Sequence, residues 1–65
     1  MWMVAYVAQT KEQAEKIRDY LEGAGILVKI RSVNQSDNEK IGCFEIMVPE
    51  SELSEAHGII ISNLF

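Results

Sequence analysis

Residues 2–25 read WMVAYVAQTKEQAEKIRDYLEGAG, and they join a strand pattern directly to a helix pattern. Its first part, residues 2–8, is apolar throughout and bounded by polar residues, which is typical of a strand covered on both faces. Thr10 and Gln13 have the spacing of a capping box, in which the threonine oxygen accepts a hydrogen bond from a backbone N–H and the glutamine reaches back. We therefore predict a strand over residues 2–8 and a helix that begins after Thr10.

The predicted helix carries one apolar stripe on an otherwise charged surface. We interpret the charged residues as the face of the helix that is exposed to solvent. The apolar stripe should pack on a sheet. Gly23 and Gly25 provide the positive φ angles with which helices commonly end. The stripe consists of Ala14, Ile17, Leu21 and Ala24.

Two further strands are predicted after this helix. Residues 26–33 alternate in the manner of a strand, with Ile26, Val28 and Ile30 on one side and Leu27, Lys29, Arg31 and Val33 on the other. The third strand runs over residues 41–48 and ends at Pro49. Between the two strands, residues 34–40 read NQSDNEK, a polar turn longer than a tight hairpin. Such loops often carry binding. The candidate binding loop comprises Asn34, Gln35, Ser36, Asp37 and Asn38.

A second helix is predicted to begin near Glu50–Ser51, where acidic side chains suit the positive end of the helix dipole. Its apolar stripe would be Leu53, Ala56 or His57, Ile60 and Leu64. Gly58 followed by three isoleucines also allows a helix stop and a short fourth strand over residues 59–62. We favour a continuous helix, because no turn residues after Gly58 reset the chain direction.

The element order β-α-β-β-α predicts an α+β fold. A right-handed crossover would make the first two strands parallel and leave a gap between them that the third strand fills. The sheet order would be 1-3-2, with both helices on one face, as in a ferredoxin-like two-layer sandwich lacking its last strand. The outer edge of the first strand would then be unpaired, and an apolar unpaired edge is a template for association.

The small size of the chain points to self-association. With 65 residues, a single domain over residues 1–65 buries only about 60% of the surface that its unfolded chain exposes, so its stability is marginal. One cysteine, Cys43, cannot form an internal disulfide, and Cys43 with the single histidine His57 cannot supply a four-ligand zinc site. Oligomerisation is the remaining way to stabilise so small a core, and we predict a homo-oligomer.

The charge and composition exclude several classes of partner. A net charge of −4 disfavours a general nucleic-acid or anionic-membrane binder, which needs an electropositive face. The first residues lack a basic leader, and their apolar run of about eight residues is too short for a membrane span or a signal peptide. We expect a cytoplasmic protein, because a single cysteine fits a reducing compartment.

The alternation along the third strand predicts the setting of Cys43 and Glu45. The helices should cover the purely apolar set Phe44, Ile46 and Val48, which leaves Cys43 and Glu45 on the open face of the sheet. A glutamate there can pair with a lysine or arginine on the neighbouring strand. A face that mixes apolar and charged side chains is expected of a subunit interface or a partner surface. The candidate interface residues are Trp2, Leu27, Lys29, Arg31, Ile41, Cys43, Glu45 and Met47.

Catalytic, metal and cofactor sites have little support in the sequence. A reactive Cys43 would need a nearby base and an electropositive setting, whereas His57 is expected on the second helix, across the sheet. We interpret Cys43 as structural and His57 as a residue at the boundary of the core. Gly23 and Gly25 follow a helix rather than precede one, so they do not form a phosphate loop. No catalytic residue, metal ligand or cofactor is predicted, and an RNA-reading sheet is disfavoured because the paired aromatic residues of that motif are missing.

The segments VAYVAQTKEQAEKIRDYLEGAGI and FEIMVPESELSEAH resemble a family of very small bacterial proteins described as prokaryotic signal-transducing proteins. The resemblance covers most of the chain, chiefly at structural positions. It implies a compact α/β fold with ferredoxin-like affinities, dimerisation, and a regulatory role akin to that of PII-type nitrogen regulators. It implies no catalytic residues.

Similar small chains are sometimes labelled glutamate decarboxylase, and physical arguments oppose that label. A pyridoxal-phosphate decarboxylase needs a buried lysine and a cradle for the cofactor. The four lysines are predicted on the exposed helix face (Lys11, Lys16), on the open sheet face (Lys29) and in the turn (Lys40). A domain of this size has no interior for the cofactor.

Three functions follow in order of preference. The first is a non-enzymatic homodimeric interaction or regulatory module that associates through the open sheet face or the first-strand edge, with an unknown protein partner or small metabolite. The second is a metabolite-sensing domain that binds near the first strand–helix turn, although residues 8–11 of that turn lack the glycine that permits close ligand approach. The third is an enzyme of unknown type, with Cys43 and Glu45 as the residues to mutate.

Overall fold

The computed structural model describes residues 1–33 and 41–64, without the side chains of Ile41 and Leu64. The candidate binding loop, residues 34–38, lies outside the described residues. The elements are β1 (Trp2–Thr10), α1 (Lys11–Gly23), β2 (Lys29–Ser32), β3 (Ile41–Pro49), a single 3-10 turn (Glu50–Glu52) and α2 (Leu53–Leu64).

Within the described residues, the strands form one sheet in the order β1-β3-β2, and β3 runs antiparallel to both neighbours. Both helices pack on the same face of this sheet. The predicted α+β, ferredoxin-like arrangement without a last strand is therefore confirmed. β1 and β2 lie at the two edges of the sheet, and the central strand β3 connects them through hydrogen bonds.

The start of α1 confirms the predicted cap, with one difference. Thr10 Oγ1 accepts a hydrogen bond from the backbone N–H of Gln13 at 3.0 Å. The Gln13 side chain reaches back to the N–H of Gln9 at 3.3 Å, rather than to the N–H of Thr10 as the standard capping box predicts. Two N–H groups at the strand–helix junction thereby gain acceptors, which fixes the helix start immediately after β1.

The end of α1 is a Schellman motif, and it corrects two predictions. Gly25 has φ +86°, its N–H donates to Glu22 O at 2.9 Å, and the N–H of Ile26 donates to Leu21 O at 3.1 Å. Ala24 is exposed at the helix end, so it was wrongly placed on the buried stripe. Because Ile26 serves this motif and packs into the core, β2 begins at Lys29 rather than at residue 26.

The core lies between the helices and the covered face of the sheet. Ile17 and Leu21 of α1 and Ile46 and Val48 of β3 are its largest fully buried side chains. The other buried members are Ala5, Ala8, Ala14, Ile26, Phe44, Ala56 and Ile60. The predicted core sets of α1 and β3 are thus confirmed apart from Ala24.

α2 continues through Gly58 to Leu64, so residues 59–62 are helical and do not form a fourth strand. Ala56 and Ile60 are buried, as predicted, whereas His57 is exposed. The prediction of His57 as a residue at the core boundary was wrong, because α2 turns Ala56 rather than its neighbour toward the sheet. Neither described helix has the length and apolar character that crossing a bilayer requires.

Candidate interaction surface

The side of the sheet opposite the helices presents a continuous row of side chains from each strand. Residues directly opposite one another on paired strands share a face. Val4 lies opposite Met47, Val7 and Arg31 lie opposite Glu45, and Lys29 lies opposite Met47. We call this surface the open face; it comprises Trp2, Val4, Val7, Lys29, Arg31, Cys43, Glu45 and Met47.

A β-bulge in β1 places two valines on the open face that the sequence did not reveal. Val4 pairs with Met47 and Tyr6 with Ile46, so Ala5 is an extra residue on β1. The bulge shifts the alternation, and Val4 and Val7 both reach the open face although their spacing is odd. Val4 is 39% exposed and Val7 is 46% exposed. The prediction that β1 is covered on both faces was therefore wrong for the described chain.

Arg31 and Glu45 form an ion pair near the middle of the open face. Arg31 Nε donates to Glu45 Oε1 at 2.8 Å, and the second guanidinium nitrogen, Nη2, contacts the same oxygen. The Glu45 side chain is only 21% exposed, because β3 is the central strand. The predicted cross-strand pairing of this glutamate with a basic residue of β2 is confirmed.

Lys29 and Trp2 interact across the end of the open face. Lys29 Nζ lies 5.7 Å from the centroid of the Trp2 ring, within the range of a cation–π contact. The two residues belong to opposite edge strands, so their side chains bridge over β3. Each basic residue of the open face thus has a compensating group in the same chain.

The remaining interface candidates occupy the flanks and the centre. Leu27 is 69% exposed just before β2, and Cys43 and Met47 are half-buried on β3. Ile41 lies at the start of β3, and its side chain is outside the described residues. Val33, which is not among the predicted interface residues, is exposed just after β2. Its N–H donates to Cys43 O at 2.9 Å.

The structure places Cys43 and His57, the two candidates for nucleophile and base, on different sides of the sheet. Cys43 belongs to the open face, while His57 is exposed on α2, on the other side of the sheet. Residues 1–33 and 41–64 contain no cluster of three or more histidine, cysteine or carboxylate side chains able to hold a metal ion. Cys43 and Glu45 are both on β3, but Glu45 is committed to Arg31.

A shallow, open depression lies at the junction of β1 and α1. It is lined by Gln9, Thr10, Glu12, Gln13 and Lys16. Thr10 and Gln13 already bond to backbone N–H groups at the helix start. The depression therefore offers the Lys16 ammonium and the Glu12 carboxylate beside the engaged side chains of Thr10 and Gln13.

Comparisons with protein-family models, with curated proteins and with solved structures returned no match to this chain.

Proposed function

We propose that this protein is a non-enzymatic interaction module that acts as a homodimer through its open face. The observation that supports this most directly is the row of exposed apolar side chains on β1, formed by Trp2, Val4 and Val7. Contiguous exposed apolar surface on a small protein marks an interaction site. Contact between two copies through this row would remove its apolar side chains from water.

The charges of the open face favour a protein surface as the partner rather than a nucleic acid. Lys29, Arg31 and Glu45 are its charged residues, and both cations are already engaged within the chain. Phosphate binding relies on cations that are available to replace counterions. The opposite, helical side is predominantly acidic, with Glu50 and Glu52 in the 3-10 turn and Glu55 in the first turn of α2, which also repels polyanions.

We assign the module a regulatory role, in the cytoplasm of a bacterium, on the resemblance of its sequence to small signal-transducing proteins. The half-buried thiol of Cys43 fits a reducing compartment. Regulatory contacts are commonly reversible, and an interface confined to a small sheet face suits that behaviour. No step of chemistry is assigned to the protein, and a decarboxylase activity is not proposed.

Native mass spectrometry of the untagged protein tests this proposal. A dimer mass with nothing attached is the expected result, since the interface is formed by two copies alone. A protein that remains monomeric and folded at micromolar concentration contradicts the proposal. Retention of pyridoxal absorbance together with release of carbon dioxide from glutamate would instead establish the enzyme that we reject.

A metabolite-sensing domain is the second candidate, and the depression at the β1–α1 junction favours it. Lys16 and Glu12 at its rim could bind the carboxylate and the amino group of an amino acid. Thermal unfolding with and without amino acids and nucleotides tests this function. A ligand at 100 times its Kd should add about 2.7 kcal/mol to the free energy of unfolding, and a mass adduct lost on denaturation would identify its class.

A further inference from the structure

The outer edge of β1 is the place where the sheet can be extended. Among the described residues, β1 pairs with β3 on one side only. The nine residues of β1 include no charged side chain and no proline, two of the usual features that protect an edge strand from another chain. The opposite edge strand, β2, has four residues, two of which are Lys29 and Arg31. The edge of β2 is therefore protected by charge and by its short length, whereas that of β1 is protected only by the bulge at Ala5.

The bonds between β1 and β3 show which backbone groups of β1 point outward. In an antiparallel pair, positions that bond to the partner strand alternate with positions that do not. Met1 O accepts a hydrogen bond from the N–H of Glu50 at 2.8 Å. The alternation then directs the N–H and C=O groups of Trp2 and Val4 away from β3. Pro49, which has no N–H to donate, lies opposite Trp2, as expected of a position that does not bond.

The bulge reverses this alternation in the second half of β1. Cys43 O accepts a hydrogen bond from the backbone N–H that follows β2, at 2.9 Å. Cys43 therefore bonds toward β2, and its neighbour Phe44 bonds toward β1. Ala8 lies opposite Phe44, so Ala8 bonds to β3. The residues on either side of it, Val7 and Gln9, consequently point outward.

The outward positions of β1 form a pattern that a second copy of β1 matches. They are Trp2 and Val4 before the bulge and Val7 and Gln9 after it, so one step of three residues separates two steps of two. A regular strand has outward positions at every second residue and can pair with only one half of this pattern. An antiparallel copy of β1 has the same longer step at the same place. Val4 then lies opposite Val7 of the second copy, and Trp2 lies opposite its Gln9.

The same register also matches the two faces of the sheet. Residues directly opposite one another on paired strands share a face, and Val4 and Val7 both belong to the open face. Ala5 and Tyr6, which lie between them, both contribute to the covered side of the sheet. The extra residue of one strand therefore meets the extra residue of the other, and the backbone groups and the side chains are both correctly placed.

Resting on the proposed homodimer, we infer that two copies join edge to edge, with β1 antiparallel to β1 about a two-fold axis perpendicular to the sheet. The Val4 and Val7 residues of the two copies exchange backbone hydrogen bonds. Toward each end, the N–H of Trp2 donates to the C=O of the partner's Gln9. The N–H of Gln9 keeps its bond to the Gln13 side chain.

This pairing produces one sheet of six strands, three from each copy. The β1 rows of the two copies, each formed by Trp2, Val4 and Val7, become neighbours at its centre, and the two open faces become continuous. The β2 strands form the outer edges. Because β2 is short and charged, it resists further pairing, so association ends at the dimer.

Amide hydrogen exchange, measured by NMR at several protein concentrations, tests the pairing. The N–H groups of Val4 and Val7 should exchange more slowly as dimer forms, in proportion to the fraction of monomer that remains. The opposite edge supplies the control. Because the N–H of Val33 bonds to β3, the alternation directs those of Ile30 and Ser32 outward from β2. Exchange at Ile30 should not change with concentration.

Two proline variants test the same pairing by sedimentation. Val4→Pro keeps an apolar side chain in the β1 row but removes an outward N–H, so it should lose the dimer. Ser32→Pro removes an outward N–H from the edge of β2, at an exposed position, and should dimerise like wild type. Circular dichroism checks that both variants are folded, and the exchange experiment decides on wild type alone if Val4→Pro is not.

The outcomes separate the strand pairing from the function on which it rests. A dimer in which Val4 and Val7 gain no protection relative to Ile30 overturns the pairing and leaves the homodimer intact. The same conclusion follows from a folded Val4→Pro protein that dimerises as strongly as wild type. A monomer at every concentration overturns the homodimer itself, and with it the second copy as the occupant of this edge.

Discussion

Arg31 and Glu45, fourteen residues apart in sequence, form a hydrogen-bonded ion pair across β2 and β3 on the open face of the sheet. The pair ties the short edge strand β2 to the central strand at a point where the two residues are direct register partners. It also neutralises the only carboxylate among the described residues of that face. The open face therefore combines an apolar row on β1 with charges that are satisfied within the subunit.

Replacing Glu45 by glutamine should lower the free energy of unfolding by about 0.2–1 kcal/mol, the range for a cross-strand charge pair. The free energy falls because glutamine is neutral and removes the ionic contact of Arg31 with a partly shielded carboxylate. Urea unfolding measures it. Asp19→Asn is the matched control, because Asp19 meets Arg18 at 3.5 Å on the exposed surface of α1, where such a pair contributes little. Equal effects in the two variants would contradict a distinct role for the Arg31–Glu45 pair.

Gly58→Ala should raise the free energy of unfolding by roughly 0.5–1 kcal/mol. Gly58 lies inside α2, is exposed, and has no neighbouring atom within 4 Å of an added Cβ. Alanine there costs less conformational entropy than glycine and meets no steric obstacle. Thermal or urea unfolding checks the sign. Destabilisation would mean that the chain does not continue as a helix through residue 58.

Gly25 and Gly23 should respond in opposite directions to alanine. Gly25 has φ +86°, where a side chain is strained by roughly 1–2 kcal/mol, so Gly25→Ala should destabilise the fold. Gly23 is in the last turn of α1, with open space around an added Cβ, so Gly23→Ala should be neutral or stabilising. Paired denaturation curves make the comparison, and the same sign in both variants would contradict the Schellman end of the helix.

The fluorescence of Trp2 should report association without a label. Trp2 is the single tryptophan of the chain and is 41% exposed, so burial between two copies should shift its emission to shorter wavelength as concentration rises. Val7→Lys, which places a charge in the β1 row, should abolish the shift. A concentration-dependent shift that persists in Val7→Lys would place the contact elsewhere.

The element order and the buried stripes follow from local patterns in the sequence. Three of these patterns depend on neighbouring residues only: the cap formed by Thr10 and Gln13, the glycines at the end of α1, and the alternation around Phe44 and Ile46. Physical rules of local capping and periodicity therefore suffice for them. The sheet order follows from the handedness and connection rules that act on those elements.

The details that the sequence did not predict depend on contacts between distant segments. The bulge at Ala5 arises from the pairing of β1 with β3, and an all-apolar strand gives no sign of which residues face outward. Val4 and Val7 were therefore missed as surface residues. β2 is shorter than its alternating pattern because Ile26 packs against Leu21 at the helix end. The exposure of His57 depends on the rotation of α2 about its axis, which a broad apolar stripe leaves undetermined.

Sedimentation velocity over a range of concentrations, with wild type, Val7→Lys and Ile61→Lys measured side by side, is the decisive test of association through the open face. Both variants place a lysine at an exposed apolar position, on the open face and on α2 respectively. We expect a reversible dimer for wild type and Ile61→Lys and a folded monomer for Val7→Lys. A Val7→Lys protein that dimerises as strongly as wild type, or a wild type that stays monomeric, would contradict association through the open face.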